Sequence, residues 1–172
     1  MCEFNYNDGG RSKYFHGKNA GDCVTRAVAI ASGMDYKLIY NTLATFNKSV
    51  TGKKTAREGI YTKHKRFKDQ MVKWGFSWHP TMKIGSGCKV HLTKDELPKG
   101  RLVCNISRHS CAVIDGVIHD TYDPSREGRR CVYGYWVFGE KKKNENTDKE
   151  IVDILYRDFP KIFNQIKEVI HG

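Results

Sequence analysis

One cysteine lies at the start of an apolar, predicted helical stretch, a position that suits a reactive thiol. Cys23 follows Asp22, a predicted capping residue, and opens a small, apolar segment that ends at Gly33. We therefore predict a short buried helix with Cys23 in its first turn. Unpaired N–H groups and the helix dipole favour an anion there, and a nearby imidazolium would lower the pKa of the thiol further. Cys23 is the predicted nucleophile, and it needs a histidine beside it.

A predicted β-hairpin supplies that histidine. Asp115–Gly116 separates two β-branched runs, a strong signal for a two-residue turn. Counting outward from this turn places His109 and Asp120 on one face as diagonal neighbours within side-chain reach. A carboxylate there would hold the imidazole in one tautomer and stabilise its charged form. The same parity places Asp123 on the other face, so the predicted set is Cys23, His109 and Asp120.

The spacing of apolar residues around this predicted site changes along the chain from a helical to an alternating pattern. A second helix is predicted after Asp35, and a third, very basic helix runs from about Thr62 to Trp74. Thereafter the apolar pattern alternates with period 2 and predicts strands. These strands are Ser77–Met82, Val90–Leu92, Leu102–Ser107, Ser110–Ile114, Val117–Asp120 and Val132–Phe138. Helices followed by an antiparallel sheet indicate the α+β class.

Two stretches resemble a known superfamily. Gly21–Ala29 (Gly-Asp-Cys-Val-Thr-Arg-Ala-Val-Ala) resembles the nucleophile helix of papain-like cysteine peptidases in the broad sense, including bacteriocin-processing and ovarian-tumour-type peptidases. His109, with Asp120 on the next strand, is similar to the superfamily's second half. The resemblance implies a papain-like fold, in which an N-terminal helical lobe packs on a twisted antiparallel sheet with the active site between them. Val132–Trp136 (Val-Tyr-Gly-Tyr-Trp) is similar to a strand of small uncharacterised phage and bacterial proteins.

The resemblance has two departures. Papain-like peptidases usually carry a glutamine before the nucleophile as an oxyanion donor, but Gly17 stands six residues before Cys23. Asn19 has amide chemistry at a different spacing, and we assign it this role beside the backbone N–H of Cys23. The ovarian-tumour pattern would place an acid at Ala20, which weakens a deubiquitinase interpretation.

The predicted activity is that of a papain-like cysteine hydrolase acting on an amide or isopeptide bond of a protein or peptide, in a phage or bacterial cell. Peptide cleavage, glutamine deamidation and acyl transfer use the same machinery and stay open. No cofactor is implied.

Six cysteines occur in the chain: Cys2, Cys23, Cys88, Cys104, Cys111 and Cys131. We expect all of them to be reduced thiols, as in a cytosol. There is no C-x-x-C motif and no Cys/His spacing typical of zinc, so no metal site is predicted. Cys111 is an alternative nucleophile close to His109, but a strand centre offers no helix dipole.

Composition excludes several classes of protein. The chain has 172 residues, which predicts one compact domain, and its formal net charge of +11 favours acidic partners. No apolar run approaches the roughly 18 residues of a membrane span, and residues 1–10 lack the regions of a signal peptide. We therefore expect a cytoplasmic protein without membrane contact, and its oligomeric state stays open.

The chain is predicted to divide near residue 140. Residues 1–140 form the predicted hydrolase domain, and 141–172 form a charged connector and an amphipathic C-terminal helical segment, broken at Pro160. Basic residues between Lys53 and Lys73 form either a solvated face or a nucleic-acid contact. The alternative function is therefore a nucleic-acid- or host-protein-binding module, an inhibitor or adaptor on a catalytically silent scaffold. The aromatic residues Trp78, Tyr133, Tyr135 and Trp136 are predicted to be sheet core.

Overall fold

The computed structural model describes residues 2–17, 21–57, 60–83 and 85–140, in which a layer of helices packs on a β-sheet. The helices are α1 (Cys23–Ser32), α2 (Tyr36–Thr51) and α3 (Lys65–Lys73). The strands are β1 (Glu3–Tyr6), β2 (Phe76–Pro80), β3 (Arg101–Ile106), β4 (His109–Ile114), β5 (Val117–Asp120) and β6 (Val132–Phe138). The predicted α+β class is confirmed.

Local sequence signals set the ends of the helices. α1 ends at Gly33, whose φ of 73° lies in the left-handed region that favours glycine. The Asp35 carboxylate accepts a hydrogen bond from the N–H of Leu38 at 3.0 Å and begins α2. α3 begins later than predicted, because the residues from Thr62 form a turn in which the N–H of His64 bonds to a backbone carbonyl.

The sheet is mixed, so the prediction of a wholly antiparallel sheet is wrong. Its strand order is β1-β5-β4-β3-β6-β2. β1 and β5 run parallel, with Tyr6 opposite Asp120, and the other neighbouring pairs are antiparallel. A tight turn forces antiparallel pairing, whereas strands far apart in the chain can pair in either direction. Hairpin patterns in the sequence therefore carry no information about β1.

The predicted hairpin is formed in the predicted register. The pairs are Ile114↔Val117, Val113↔Ile118 and Ala112↔His119. Asp115 and Gly116 have φ values of 50° and 85°, and both are positive, as this two-residue turn requires. This turn fixes how far His109 and Asp120 lie from each other along the two strands.

Apolar side chains cover both faces of the sheet. On one face, Val28, Ile39 and Met71 of the three helices pack with Val103 and Trp136 of the strands. The opposite cluster is formed by Cys2, Leu92, Leu97, Leu102, Cys104, Ile106, Cys111, Val113, Ile118 and Val132. Because Leu92 and Leu97 belong to the connection between β2 and β3, that connection serves as the second covering layer of the sheet.

The connection between β2 and β3 corrects two predictions. The predicted strand Val90–Leu92 is reduced to an isolated bridge between His91 and Cys131. Cys88 and Cys131 form a disulfide, with their Cα atoms 5.8 Å apart, so the expectation of six reduced thiols is wrong. The sequence gives no sign of this pair, because only the fold brings these two residues together.

The described residues bear on the membrane prediction but do not include two other predicted features. Among the described residues, no helix combines the length and apolar character needed to cross a bilayer. The predicted C-terminal helical segment, 141–172, lies outside the described residues, and so does Asn19.

Candidate active site

Cys23 is the first residue of α1 and is partly exposed. The first bond of the helix runs from the N–H of Arg26 to the carbonyl of Asp22 at 3.0 Å. The N–H groups of Cys23, Val24 and Thr25 therefore have no acceptor within the helix. These donors and the positive end of the helix dipole lie beside the sulfur.

His109 and Asp120 lie at the ends of their strands, where the sheet meets the start of α1. His109 is the first residue of β4 and Asp120 the last of β5, and the imidazole Nε2 is 2.6 Å from Oδ2 of the carboxylate. Asp120 is buried, and its Oδ1 accepts a hydrogen bond from the N–H of Thr121 at 2.7 Å. The ring of Tyr122 packs on the imidazole with its centroid 5.1 Å away. The imidazole is therefore held in place from two sides.

The thiol and the imidazole shift each other's protonation. Burial alone would raise the pKa of Cys23, but the hydrogen bond and charge of His109, the backbone of Ser110 and the charge of Arg26 outweigh it and lower that pKa. Burial would likewise lower the pKa of His109, yet its hydrogen bonds to Asp120 and Cys23, together with their charges, raise it to about 9. Since Asp120 occupies Nε2, Nδ1 is the nitrogen left for the thiol. The arrangement favours a thiolate–imidazolium pair.

The other free thiols differ from Cys23. Cys2, Cys104 and Cys111 are buried, and burial raises the pKa of each. Cys111, the alternative nucleophile, is fully enclosed in the sheet cluster opposite α1. It therefore lacks both the exposure and the anionic form that a nucleophile requires.

A buried network of charges joins α1 to the imidazole's partner. The guanidinium of Arg26 bonds to the carboxylate of Asp22 through Nη1 and to Oδ1 of Asp120 through Nη2, the latter at 3.3 Å. Asp22 also pairs with Nε of Arg11 at 3.2 Å and accepts a hydrogen bond from the hydroxyl of Tyr36. Opposite charges thus alternate from Arg11 through Asp22, Arg26 and Asp120 to His109.

This network is not among the features predicted from the sequence, where Asp22 is a predicted helix cap. The side chain of Asp22 makes no capping hydrogen bond because the two arginines and a tyrosine take up its oxygens. The available signal was an aspartate and an arginine four residues apart in an otherwise apolar helix, since a buried arginine requires partners.

A cleft of about 560 Å³ opens beside Cys23 and His109. Three cations, Lys63, Lys68 and Arg108, line it together with the aromatic side chains of Trp78, Tyr133 and Trp136. Trp136 is buried, as predicted for sheet core, but Trp78 and Tyr133 are 36% and 42% exposed. The prediction that these two rings are core is wrong because they lie near the rim of the sheet, where none of the described helices or strands covers them.

The structure brings three of the four predicted site residues together: Cys23, His109 and Asp120. The fourth, Asn19, cannot be placed because it lies outside the described residues. Within the described part of the chain, no group of three or more His, Cys, Asp or Glu side chains is arranged to hold a metal ion. No protein-family model, curated protein or solved structure matches this chain.

Proposed function

We propose that the protein is a cysteine-dependent hydrolase that acts on amide or isopeptide bonds of proteins or peptides, with the active site arranged as in papain-like enzymes. The observation that carries the proposal is the placement of Cys23 and His109 on one cleft, with His109 hydrogen-bonded to Asp120 and lowering the pKa of the thiol. Cys23 is the nucleophile, His109 the acid and base, and Asp120 orients the imidazole. These three roles are the nucleophile, the base and the orienting group that covalent hydrolysis requires.

The first step is attack on the substrate carbonyl. The thiolate sulfur of Cys23 forms a bond to the carbonyl carbon, and the carbonyl π electrons move to oxygen. The backbone N–H of Cys23 and the side-chain amide of Asn19 are the proposed donors to this oxyanion. The C–N bond then breaks, and the imidazolium of His109 gives its proton to the departing amine, which leaves a thioester on Cys23.

Water completes the cycle. His109, now neutral, takes a proton from water as the oxygen attacks the thioester carbon. The C–S bond breaks, the carboxylic acid leaves, and Cys23 returns as thiolate beside an imidazolium. Asp120 keeps its negative charge throughout and stabilises the charged form of His109.

Selective alkylation tests the proposal. We expect iodoacetamide at pH 6 to modify Cys23 far faster than Cys2, Cys104 or Cys111, because only Cys23 combines exposure with a lowered pKa. The His109→Ala variant should lose this selectivity. Modified sites are assigned by mass spectrometry.

His119→Ala is the matched control, since His119 lies on the neighbouring strand and contacts Asn5 rather than Cys23. It should label like the wild type. An unreactive Cys23 in the wild type, or labelling that ignores His109, would contradict the proposal.

A second candidate function is a binding module on a silent scaffold. The cations of the cleft and the exposed basic side chains of α3 favour it. Binding of a nucleic acid or a partner protein that weakens steeply with salt, and that Cys23→Ala leaves unchanged, would support this candidate over the hydrolase.

A further inference from the structure

The charged side chains of the cleft carry one sign. Lys63, Lys68 and Arg108 line it, and no aspartate or glutamate does so among the described residues. The nearest carboxylate along α3, that of Asp69, pairs with Lys65 at 2.8 Å instead. Within the part of the chain that the structure describes, no ion pair neutralises the three cations of the cleft. An anionic group in the cleft would supply the missing charge.

The cleft also presents apolar surface beside these cations. The rings of Trp78 and Trp136 are in tilted contact, with centroids 5.1 Å apart, and Tyr133 lies on the same strand as Trp136. Gly134 makes room for Trp78, since a Cβ at this position would come within 2.3 Å of the indole ring. The exposed part of this aromatic surface would be covered by a large apolar side chain.

We infer that the cleft binds a peptide segment that carries an acidic side chain next to a large apolar side chain. The inference rests on the proposed function and names its substrate class. Cations and aromatic rings also suit a nucleic acid, but a thiolate paired with an imidazole acts on an acyl carbon. Peptides supply such a carbon at each residue, whereas the nucleic-acid backbone is made of phosphodiesters. An acidic peptide therefore satisfies both the cleft and the nucleophile.

Electrophilic peptides provide the test. Acetylated dipeptide vinyl sulfones are made with Glu-Leu, Gln-Leu, Lys-Leu and Glu-Gly, each also in reverse order, so that the result does not depend on the direction of the peptide. The Cys23 thiolate adds to the vinyl carbon β to the sulfone, and the α carbon, which bears the sulfone, takes the imidazolium proton of His109. The second-order labelling rate is measured by mass spectrometry and divided by the iodoacetamide rate of the same variant.

We expect the best glutamate probe to label Cys23 about two- to fivefold faster than its glutamine counterpart at low salt, because exposed charge pairs contribute modestly. The lysine probe should label Cys23 more slowly still. The Glu-Gly probe should be slower than the Glu-Leu probe by a similar factor. Raising the salt concentration should reduce the preference for glutamate.

A matched pair of charge reversals on α3 locates the effect. Lys68→Glu, which changes the lining of the cleft, should abolish or invert the preference for glutamate. Lys65→Glu changes the net charge equally on the same helix, but Lys65 does not line the cleft, so the preference should persist.

Two results would overturn the inference. Equal normalised rates for the Glu, Gln and Lys probes would do so even if iodoacetamide labelling of Cys23 depends on His109, and the proposed function would then stand alone. A single-stranded oligonucleotide that blocks probe labelling in the wild type but not in Lys68→Glu would assign the cleft to nucleic acid instead. An unreactive Cys23 in every assay would contradict the proposed function itself.

Discussion

At the scale of single residues, the candidate site depends on which of two opposed effects controls the thiol. Burial raises the pKa of Cys2, Cys104 and Cys111, and it acts on Cys23 in the same direction. Only Cys23 has an imidazole and a helix N-terminus to reverse it. Among the four free cysteines, Cys23 therefore differs from the other three both in its partners and in its partial exposure.

Removing the charge of Asp120 should raise the pKa of Cys23. Asp120→Asn takes away one cause of the raised pKa of His109, so less imidazolium faces the thiol at neutral pH. We expect the alkylation rate of Cys23 at pH 6 to fall about tenfold, which corresponds to a pKa rise of roughly one unit. The rate is measured from pH 5 to pH 10.

The pH profile also separates this effect from misfolding. Above the shifted pKa the thiol ionises without help, so the rates of the variant and the wild type should converge, and the buried Cys2, Cys104 and Cys111 should stay unlabelled if the variant is folded. Asp123→Asn is the control, because Asp123 bonds to the N–H of Ser125 and not to His109. Superimposable profiles for Asp120→Asn and the wild type would contradict the assigned role.

Side-chain partners were predictable from the sequence where they follow the geometry of one hairpin. Parity counting selected Asp120 over Asp123, and the structure has Asp120 hydrogen-bonded to His109. It failed for Arg26, whose two carboxylate partners lie on different elements. Counting residues from a local turn predicts which side chains are partners within a hairpin, but it cannot predict partners across a tertiary contact.

At the scale of elements, α1 and the sheet are joined by buried charge as well as by apolar packing. Arg26 of α1 bridges Asp22 at its own N-terminus and Asp120 at the end of β5. Removing one member of a buried ion network leaves its partners without compensation. The same side chain that locks the helix to the sheet therefore also helps to hold the acid that orients His109.

Breaking this link should be costly. We expect Arg26→Gln to lower the free energy of unfolding by about 3–5 kcal/mol, because both buried carboxylates lose a charged partner. Urea denaturation followed by circular dichroism measures the change. Arg66→Gln makes the same substitution on the exposed face of α3 and should stay within about 0.5 kcal/mol of the wild type.

A conservative variant adds a second readout to this prediction. Arg26→Lys retains a charge, but its single ammonium group cannot bind both carboxylates as the forked guanidinium does. Its free energy of unfolding should therefore lie between those of Arg26→Gln and the wild type. A loss in Arg26→Gln no larger than that in Arg66→Gln would show that the network contributes nothing to the attachment of α1.

The elements themselves divide into those that are predictable and those that are not. Helix ends at Gly33 and Asp35 and the turn at Asp115–Gly116 follow from local backbone preferences, and the structure has them as predicted. The parallel pairing of β1 and the irregular path at Val90–Leu92 depend on distant partners. Periodicity describes one strand at a time and cannot specify its neighbour.

At the scale of the whole molecule, one covalent link closes a long loop. The disulfide joins Cys88 to Cys131 across 43 residues of sequence and so ties the covering connection to the start of β6. A cross-link of this span restricts the unfolded chain, which stabilises the folded state by about 2–4 kcal/mol. The fold as a whole, rather than any motif, determines this pair.

Loss of the disulfide should therefore reduce stability by that amount. We expect the Cys88→Ser/Cys131→Ser variant to unfold at lower urea concentration than the oxidised wild type, with a free-energy loss of about 2–4 kcal/mol. Dithiothreitol should shift the wild type to the same midpoint and leave the double variant unchanged. A wild type that is insensitive to dithiothreitol, with all cysteines free to alkylate after unfolding without reductant, would contradict the link.

The cleft also belongs to the whole molecule, which explains why the sequence did not reveal it. In the sequence, Lys63 and Lys68 belong to a basic stretch predicted as helical. Trp78 and Tyr133 belong to stretches with the alternating pattern of strands. Only the packing of α3 beside β2 and β6 gathers them next to the nucleophile. Local patterns thus predicted the candidate residues Cys23, His109 and Asp120, whereas the lining of the cleft beside them depends on the assembled layers.

The wide separation of the partners along the chain orders events during synthesis. Arg26 and Asp120 are 94 residues apart, and translation proceeds at about 5–20 residues per second, so the carboxylate emerges on the order of 5–20 s after the arginine. Until then His109 has no carboxylate to hold it, and the thiol of Cys23 keeps the modest reactivity of an ordinary cysteine. Cys23 is thus synthesised before both His109 and Asp120, so we expect its thiol to acquire a lowered pKa only after Asp120 has joined the fold.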